Sequence, residues 1–366
     1  MKRYAFVDWF RGLACVLMFQ THAYDSWTAA ASRNGWLWWT SRHLGGFPSR
    51  LFLLLAGVSL MLRFDGDRRR GVAVAASRAG AAKRGLEVLA LGFGFRLFEW
   101  VLAGAGWSYV SDIWRVDILN CIGLSLIVAA YVASPSDLEE GRLPLRTAAV
   151  ALAVVFLTPF VERLHFPAWA PRPLTAYLAG SKPVAFFPLF PWLAYVLAGC
   201  VAGAVWVRAA RADKLGRAMA WTTAVGLGMA LIGQLGHRTG VPFYSFGDNQ
   251  APPTSPTAFF YRTGMCLVGG ALAYLATRGA DPAKFSWLRQ LGRTSLFVYW
   301  IHVELVYGHL SDPIKRKLSM LSASLLLMLL TMLMVLLSIW RTERFDKWRR
   351  ARLAATAEGT ARSSAG

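Results

Sequence analysis

Three ionisable residues, Asp8, Arg11 and His22, interrupt one apolar run near the start of the chain. A charge inside hydrocarbon costs about 2.5 kcal/mol or more, so such residues are candidates for function. Asp8 and Arg11 stand one helical turn apart and can pair, either as a structural ion pair or with a direct part in chemistry. His22 follows Arg11 by eleven residues. At 3.6 residues per turn the two point the same way, about 16 Å apart. Histidine can take a proton from an alcohol or amine near neutral pH, and it can carry an acyl group transiently. Asp25, one turn beyond His22, is the local carboxylate expected to set its tautomer.

Further along, Ser295, Tyr299 and His302 recur at i, i+4 and i+7 and share a helix face. Arg96, Glu99, Asp117, Asn120, Gln234, His237, Arg262 and Glu304 fall with His302 in one set of span halves, as a polar cavity opening to one side requires. Taken singly, each also has a structural reading: His22 and His302 as helix-packing residues, Glu99 and Glu304 as partners of Arg96 or Arg262. Nothing resembles a Walker loop, a dinucleotide fingerprint, a nucleophile elbow or a paired-histidine metal site, and no metal is expected. Cys15, Cys121, Cys200 and Cys266 lie in four different apolar runs and read as small buried residues.

These residues need membrane helices to hold them. The chain of 366 residues is 55% hydrophobic and 16% charged, well below the roughly 25% charge of soluble domains. Its apolar residues gather in runs of about 20, the helical length that crosses a bilayer. The expected fold is an all-α polytopic transmembrane bundle of about ten spans, near 4–24, 45–62, 85–105, 113–133, 147–164, 186–207, 219–238, 258–277, 291–310 and 318–340. Residues 1–341 form the transmembrane domain, and 342–366 a basic, disordered cytoplasmic tail. Lys2 and Arg3 lead into the first run with no small-residue cleavage site, so that span is expected to stay. The net charge of +20 falls mostly in the segments that ten spans place on one side, notably around Arg68, Arg69 and Arg70. That pattern is an orientation signal rather than a nucleic-acid footprint, and it puts both termini in the cytoplasm. The segment 24–44, with Trp27, Trp36, Trp38 and Trp39, has the composition of an interfacial aromatic belt. The Pro- and Gly-rich segments 165–185 and 239–257 have room to form a rim.

Five segments carry a resemblance: Asp8-Trp-Phe-Arg-Gly-Leu-Ala14, Phe52-Leu-Leu-Leu-Ala-Gly-Val-Ser59, Asp117-Ile-Leu-Asn-Cys-Ile-Gly-Leu124, Phe187-Pro-Leu-Phe-Pro-Trp-Leu193 and Gly292-Arg-Thr-Ser-Leu-Phe-Val-Tyr-Trp-Ile-His302. In this order they resemble bacterial members of the heparan-α-glucosaminide N-acetyltransferase catalytic-domain family, related to type-three membrane acyltransferases. The resemblance implies acetyl-CoA as a cytoplasmic co-substrate and a saccharide acceptor outside, across the inner (plasma) membrane. It implies that Arg11 handles the donor, and Asp8 beside it is expected to share that role. It further implies that His22 serves catalysis, with Asp25 expected to orient it and His302 to join it. Tyr299, Asp117 and Asn120 are then expected on the acceptor. The lysosomal relative's histidine precedes an Asn-Gly pair; here Asn34-Gly35 follows Ser32 and Arg33, and the loop's own histidine is His43. Either His22 has the role or His43 does through a shifted loop, and His22 is the better placed. Two rivals need no CoA: a secondary transporter or flippase for an anionic or sugar-linked solute, and a non-catalytic membrane subunit.

Overall fold

The computed structural model describes residues 4–102, 104, 106, 113–139, 144–164, 166–167, 169–180, 185–238, 254–281 and 284–364. His165 and most of the expected rim at 239–257 lie outside them. Among the described residues the architecture is helical, with isolated bridges in place of strands. The helices are α1 (Ala5–Trp27), α2 (Gly35–Leu44), α3 (Pro48–Arg69), α4 (Val74–Leu102), α5 (Ile118–Val132), α6 (Leu145–Val161) and α7 (Arg172–Ala179). They continue as α8 (Leu189–Arg211), α9 (Leu215–Arg238), α10 (Pro256–Thr277), α11 (Trp287–Arg293), α12 (Ser295–Tyr307) and α13 (Met320–Ser364).

Nine of the ten expected spans each overlap one of these helices, and the ninth, 291–310, overlaps two. Five stretches are long and apolar enough to cross a membrane: Gly35–Arg69, Leu189–Arg211, Leu215–Arg238, Pro256–Thr277 and Met320–Lys347. Three shorter apolar helices accompany them, α5, α6 and α12. Polar residues dilute the two remaining expected spans, α1 and α4. Two local features differ from the expected pattern. The tryptophan-rich loop folds as a helix, α2, with Trp36 and Trp39 exposed and Trp38 buried. The expected ninth span is broken at Thr294, whose φ of −114° and ψ of 18° separate α11 from α12. The backbone of the tail continues α13 as helix.

The chain divides into two compact units. One comprises Ser49–Ala276 with the first three residues, and the other Tyr4–Pro48 with Thr277–Gly366. In the second unit α1 packs backbone to backbone on α11. A Cβ added at Gly12 would stand 1.9 Å from the Leu288 carbonyl oxygen, and one at Gly292 1.8 Å from that of Asp8. Small residues permit this approach, which suits helices that have no hydrophobic drive to associate in lipid. The far end of α1 is tied by backbone bonds: Leu318 N–H donates to Trp27 O at 3.0 Å and Ala29 N–H to Leu318 O at 2.9 Å. Tyr24 and Trp38 close over Ala323 of α13 there. In the first unit α3 and α8 approach as closely, with a Cβ at Gly57 falling 1.9 Å from Val196 O and one at Gly199 1.9 Å from Leu54 O.

Candidate functional site

The second unit holds α1 between two polar clusters. At its start the Asp8 carboxylate lies 3.4 Å from Arg11 Nη1 and 3.8 Å from Arg293 Nε. Arg293 follows Gly292, the residue whose missing side chain lets α11 reach α1. It stands inside the last signature segment, so the sequence carried its position without its partner.

At the other end α1 meets α12. Ser26 Oγ donates to the Val306 carbonyl at 2.7 Å, one turn past His22, and fixes the register of the two helices. His22 then faces His302, with His22 Nδ1 and His302 Nε2 2.9 Å apart. The rings lie 12° from coplanar with centroids at 5.1 Å, so the contact is an in-plane hydrogen bond. His302 is fully buried, and its Nδ1 lies 3.0 Å from the Val298 carbonyl. A carbonyl only accepts, so His302 Nδ1 carries the proton and, in the neutral ring, Nε2 accepts. Nδ1–H of His22 is therefore the donor, and the basic lone pair of His22 sits on Nε2. The tautomers follow from these heavy-atom contacts. Phe19 and Tyr299 pack on the His302 ring at 4.9 and 5.7 Å. Tyr307 lies 5.3 Å from the His22 ring.

The structure thus brings His22, His302 and Tyr299 together and puts an imidazole, not a carboxylate, on His22 Nδ1. Asp25 is exposed and accepts from the Tyr307 hydroxyl at 3.4 Å, with Arg42 Nη1 4.0 Å away. His43 is exposed on α2 with its ring against Phe47. Tyr307, five residues past His302, had no signal in the sequence. In the turn after α12, hydrogen bonds from Lys315 and His309 hold the Asp312 carboxyl below the usual carboxylate range.

In the first unit, Arg96 bridges Glu99 on its own helix and Asp117, the residue capping α5. Asp117 is therefore held in an ion pair. Asn120, one turn on, is fully buried, with its amide toward the Tyr177 hydroxyl. At the turn between α3 and α4, Arg70 pairs with buried Asp67 at 2.5 Å and Arg69 with buried Asp65 at 3.1 Å. Arg68 lines a cavity of about 480 Å³ with Ser77, Ser134, Ser136 and Glu139. Among the described residues no cluster of three or more His, Cys, Asp or Glu is arranged to hold a metal.

The family model described as heparan-alpha-glucosaminide N-acetyltransferase, catalytic, matches residues 3–236. No curated protein matches the chain. The matched span takes in four of the five signature segments and His22, while His302 lies beyond it.

Proposed function

The chain belongs to the heparan-alpha-glucosaminide N-acetyltransferase catalytic family, and from that premise we propose that it is a multi-pass acetyltransferase of the inner (plasma) membrane. It moves acetyl from cytoplasmic acetyl-CoA to an amine or hydroxyl of a saccharide on the other side. About ten crossings keep both termini in the cytoplasm, in keeping with the distribution of basic residues. The family match lends no support to a transporter or flippase.

The observation that carries the reading is the relay from Val298 O through His302 to His22. His22 Nε2 takes the acceptor proton while the acceptor's nitrogen or oxygen attacks the acetyl carbonyl. The C–S bond of the thioester then breaks, and the CoA sulfur leaves with the proton that His22 returns. As His22 becomes charged, its Nδ1–H bond to neutral His302 strengthens, because charge-assisted hydrogen bonds are the stronger ones. General acid–base catalysis of this kind contributes about 100- to 10,000-fold. His302 is the positioning residue, with Tyr299 beside it on the acceptor side. Arg11, buttressed by Asp8, contacts the pantetheine or pyrophosphate of the donor. His22 is preferred over His43, which lies exposed on α2.

The test is binding and hydrolysis of radiolabelled acetyl-CoA by the detergent-purified protein, compared with His22→Ala and Arg11→Ala. Saturable binding that weakens in Arg11→Ala, with acetyl release lost in His22→Ala, is the expected result. Folded protein that binds no acetyl-CoA, or hydrolyses it normally without His22, overturns the proposal. Label retained on acid-quenched protein in the absence of acceptor identifies an acetyl-histidine in place of direct transfer.

A further inference from the structure

A run of arginines, Arg68 to Arg70, closes α3, and its members are not equivalent. Arg69 pairs with buried Asp65 at 3.1 Å and Arg70 with buried Asp67 at 2.5 Å. Arg211 adds to Asp65 and Arg63 to Asp67, so both carboxylates are answered. Arg68 takes no part. Its exposed side chain has no hydrogen bond, ion pair or ring contact among the described residues, and it lines the cavity of about 480 Å³ between the end of α3, the start of α4 and the turn after α5.

The wall opposite is held in place. Ser134 caps the short helical turn Pro135–Leu138: its Oγ accepts from the Ser136 N–H at 3.3 Å, and its own N–H donates to Asp137 at 3.0 Å. Arg211 Nη1 clamps the same turn through the Leu138 carbonyl at 3.1 Å. Ser134 Oγ also accepts from Arg78 Nη2 at 3.3 Å and from the Ser136 hydroxyl at 2.8 Å, so its proton is left to give. Helix α4 opens on the cavity through Val74. Ala73 before it has no side-chain acceptor, and Ser77 spends its hydroxyl on Asp67 at 2.7 Å. The N–H groups of Val74, Ala75 and Ala76 therefore meet no acceptor among the described residues. A helix N-terminus also carries about half a positive charge. The lining is thus rich in donors, and its carboxylate is Glu139.

We propose that this cavity binds a phosphate ester whose alcohol part carries hydroxyl groups. The phosphate oxygens meet the fork of the Arg68 guanidinium and the start of α4. Glu139 repels a bare anion but accepts a hydrogen bond from a hydroxyl of the ester. The volume lies within the roughly 300–1,000 Å³ of small-molecule sites, more than a lone phosphate fills. Such an ester is either a phospholipid headgroup, as in phosphatidylglycerol, or a soluble nucleotide. Helix α3 ends a stretch able to cross the membrane, which sets Arg68 at headgroup depth.

The experiment uses the full chain in detergent and phosphate-free buffer. Thermal stability is followed while adenosine monophosphate is titrated, with adenosine as the probe that lacks the phosphate. In parallel, native mass spectrometry reads retention of phosphatidylglycerol against phosphatidylcholine, which has the phosphate but no headgroup hydroxyl. Arg68→Gln removes the unpaired guanidinium, and Val72→Trp fills the cavity from its exposed rim. Arg69→Gln removes a neighbouring charge that is paired and outside the lining. Saturable stabilisation by the nucleotide and not by adenosine, about tenfold weaker in Arg68→Gln and Val72→Trp but unchanged in Arg69→Gln, supports the soluble ester. Phosphatidylglycerol held by the wild type and Arg69→Gln, and lost from the other two, supports the headgroup. Wild-type protein that shows neither, or Arg69→Gln that loses binding as Arg68→Gln does, overturns the site. Neither assay involves acetyl-CoA, so this outcome stands apart from that of the acetyl-transfer proposal.

Discussion

Arg96 with its two carboxylates and His22 with its partner histidine are both polar groups sunk among apolar helices, but they spend their bonding capacity differently. Arg96 is buried and divides its guanidinium between Glu99 and Asp117, so charge answers charge within the cluster. The histidine pair carries no charge in its neutral form. Its hydrogen bonds run one way, from His22 to His302 to the Val298 carbonyl, and leave basicity at the far nitrogen. An ionisable side chain in a span is thus a weak guide to chemistry until its partners are known. A closed ion pair reads as architecture, and a directional relay reads as a base held in place.

The sharpest way to break this contrast is to remove Arg96. Arg96→Met leaves two carboxylates facing each other and should cost about 3–5 kcal/mol in thermal or denaturant unfolding. Adding Asp117→Leu should recover much of that loss. Full stability in the single variant would mean that the cluster is not architectural. His22→Ala should act the other way round, lowering kcat about 100-fold or more while the unfolding midpoint barely moves. In His302→Phe the donor at His22 Nδ1 loses its acceptor, at a cost of about 1–3 kcal/mol, so kcat should fall about 5- to 150-fold. The KM for acetyl-CoA should stay unchanged, whereas a packing defect would move stability and KM together. Tyr307→Phe removes a long hydrogen bond to an exposed carboxylate and should change kcat by about twofold. A loss comparable to that of His302→Phe would make Tyr307 part of the relay.

The sequence carried the helices well because hydrocarbon imposes one length and one composition on whatever crosses it. It was blind where the rule is local. Trp36, Trp38 and Trp39 mark an interface by composition, yet only the structure shows that they wind into α2 with one ring turned inward. The break at Thr294 falls in the polar stretch Arg293-Thr294-Ser295, which the expected span ran straight through. Within the site, His22 and His302 were both legible from type and helical face, but their contact spans 280 positions, and spacing along one helix cannot name a partner on another. Asp25 was the nearest carboxylate in sequence. In space the His22 nitrogen it was expected to orient is met by His302, and Asp25 bonds Tyr307. Arg293 was visible in its motif, but the backbone approach at Gly12 and Gly292 that delivers it to Asp8 required coordinates.

The unit that holds the histidines is assembled from Tyr4–Pro48 and the residues after Ala276. A ribosome makes α1 before α12, so His22 emerges before its partner exists. Until then α1 carries Asp8, Arg11 and an unmated imidazole, a poor passenger for lipid that has to be sheltered by the insertion machinery or by the helices that follow it. The intervening 228 residues can complete their own packing first, and the relay closes as one of the last events of biogenesis.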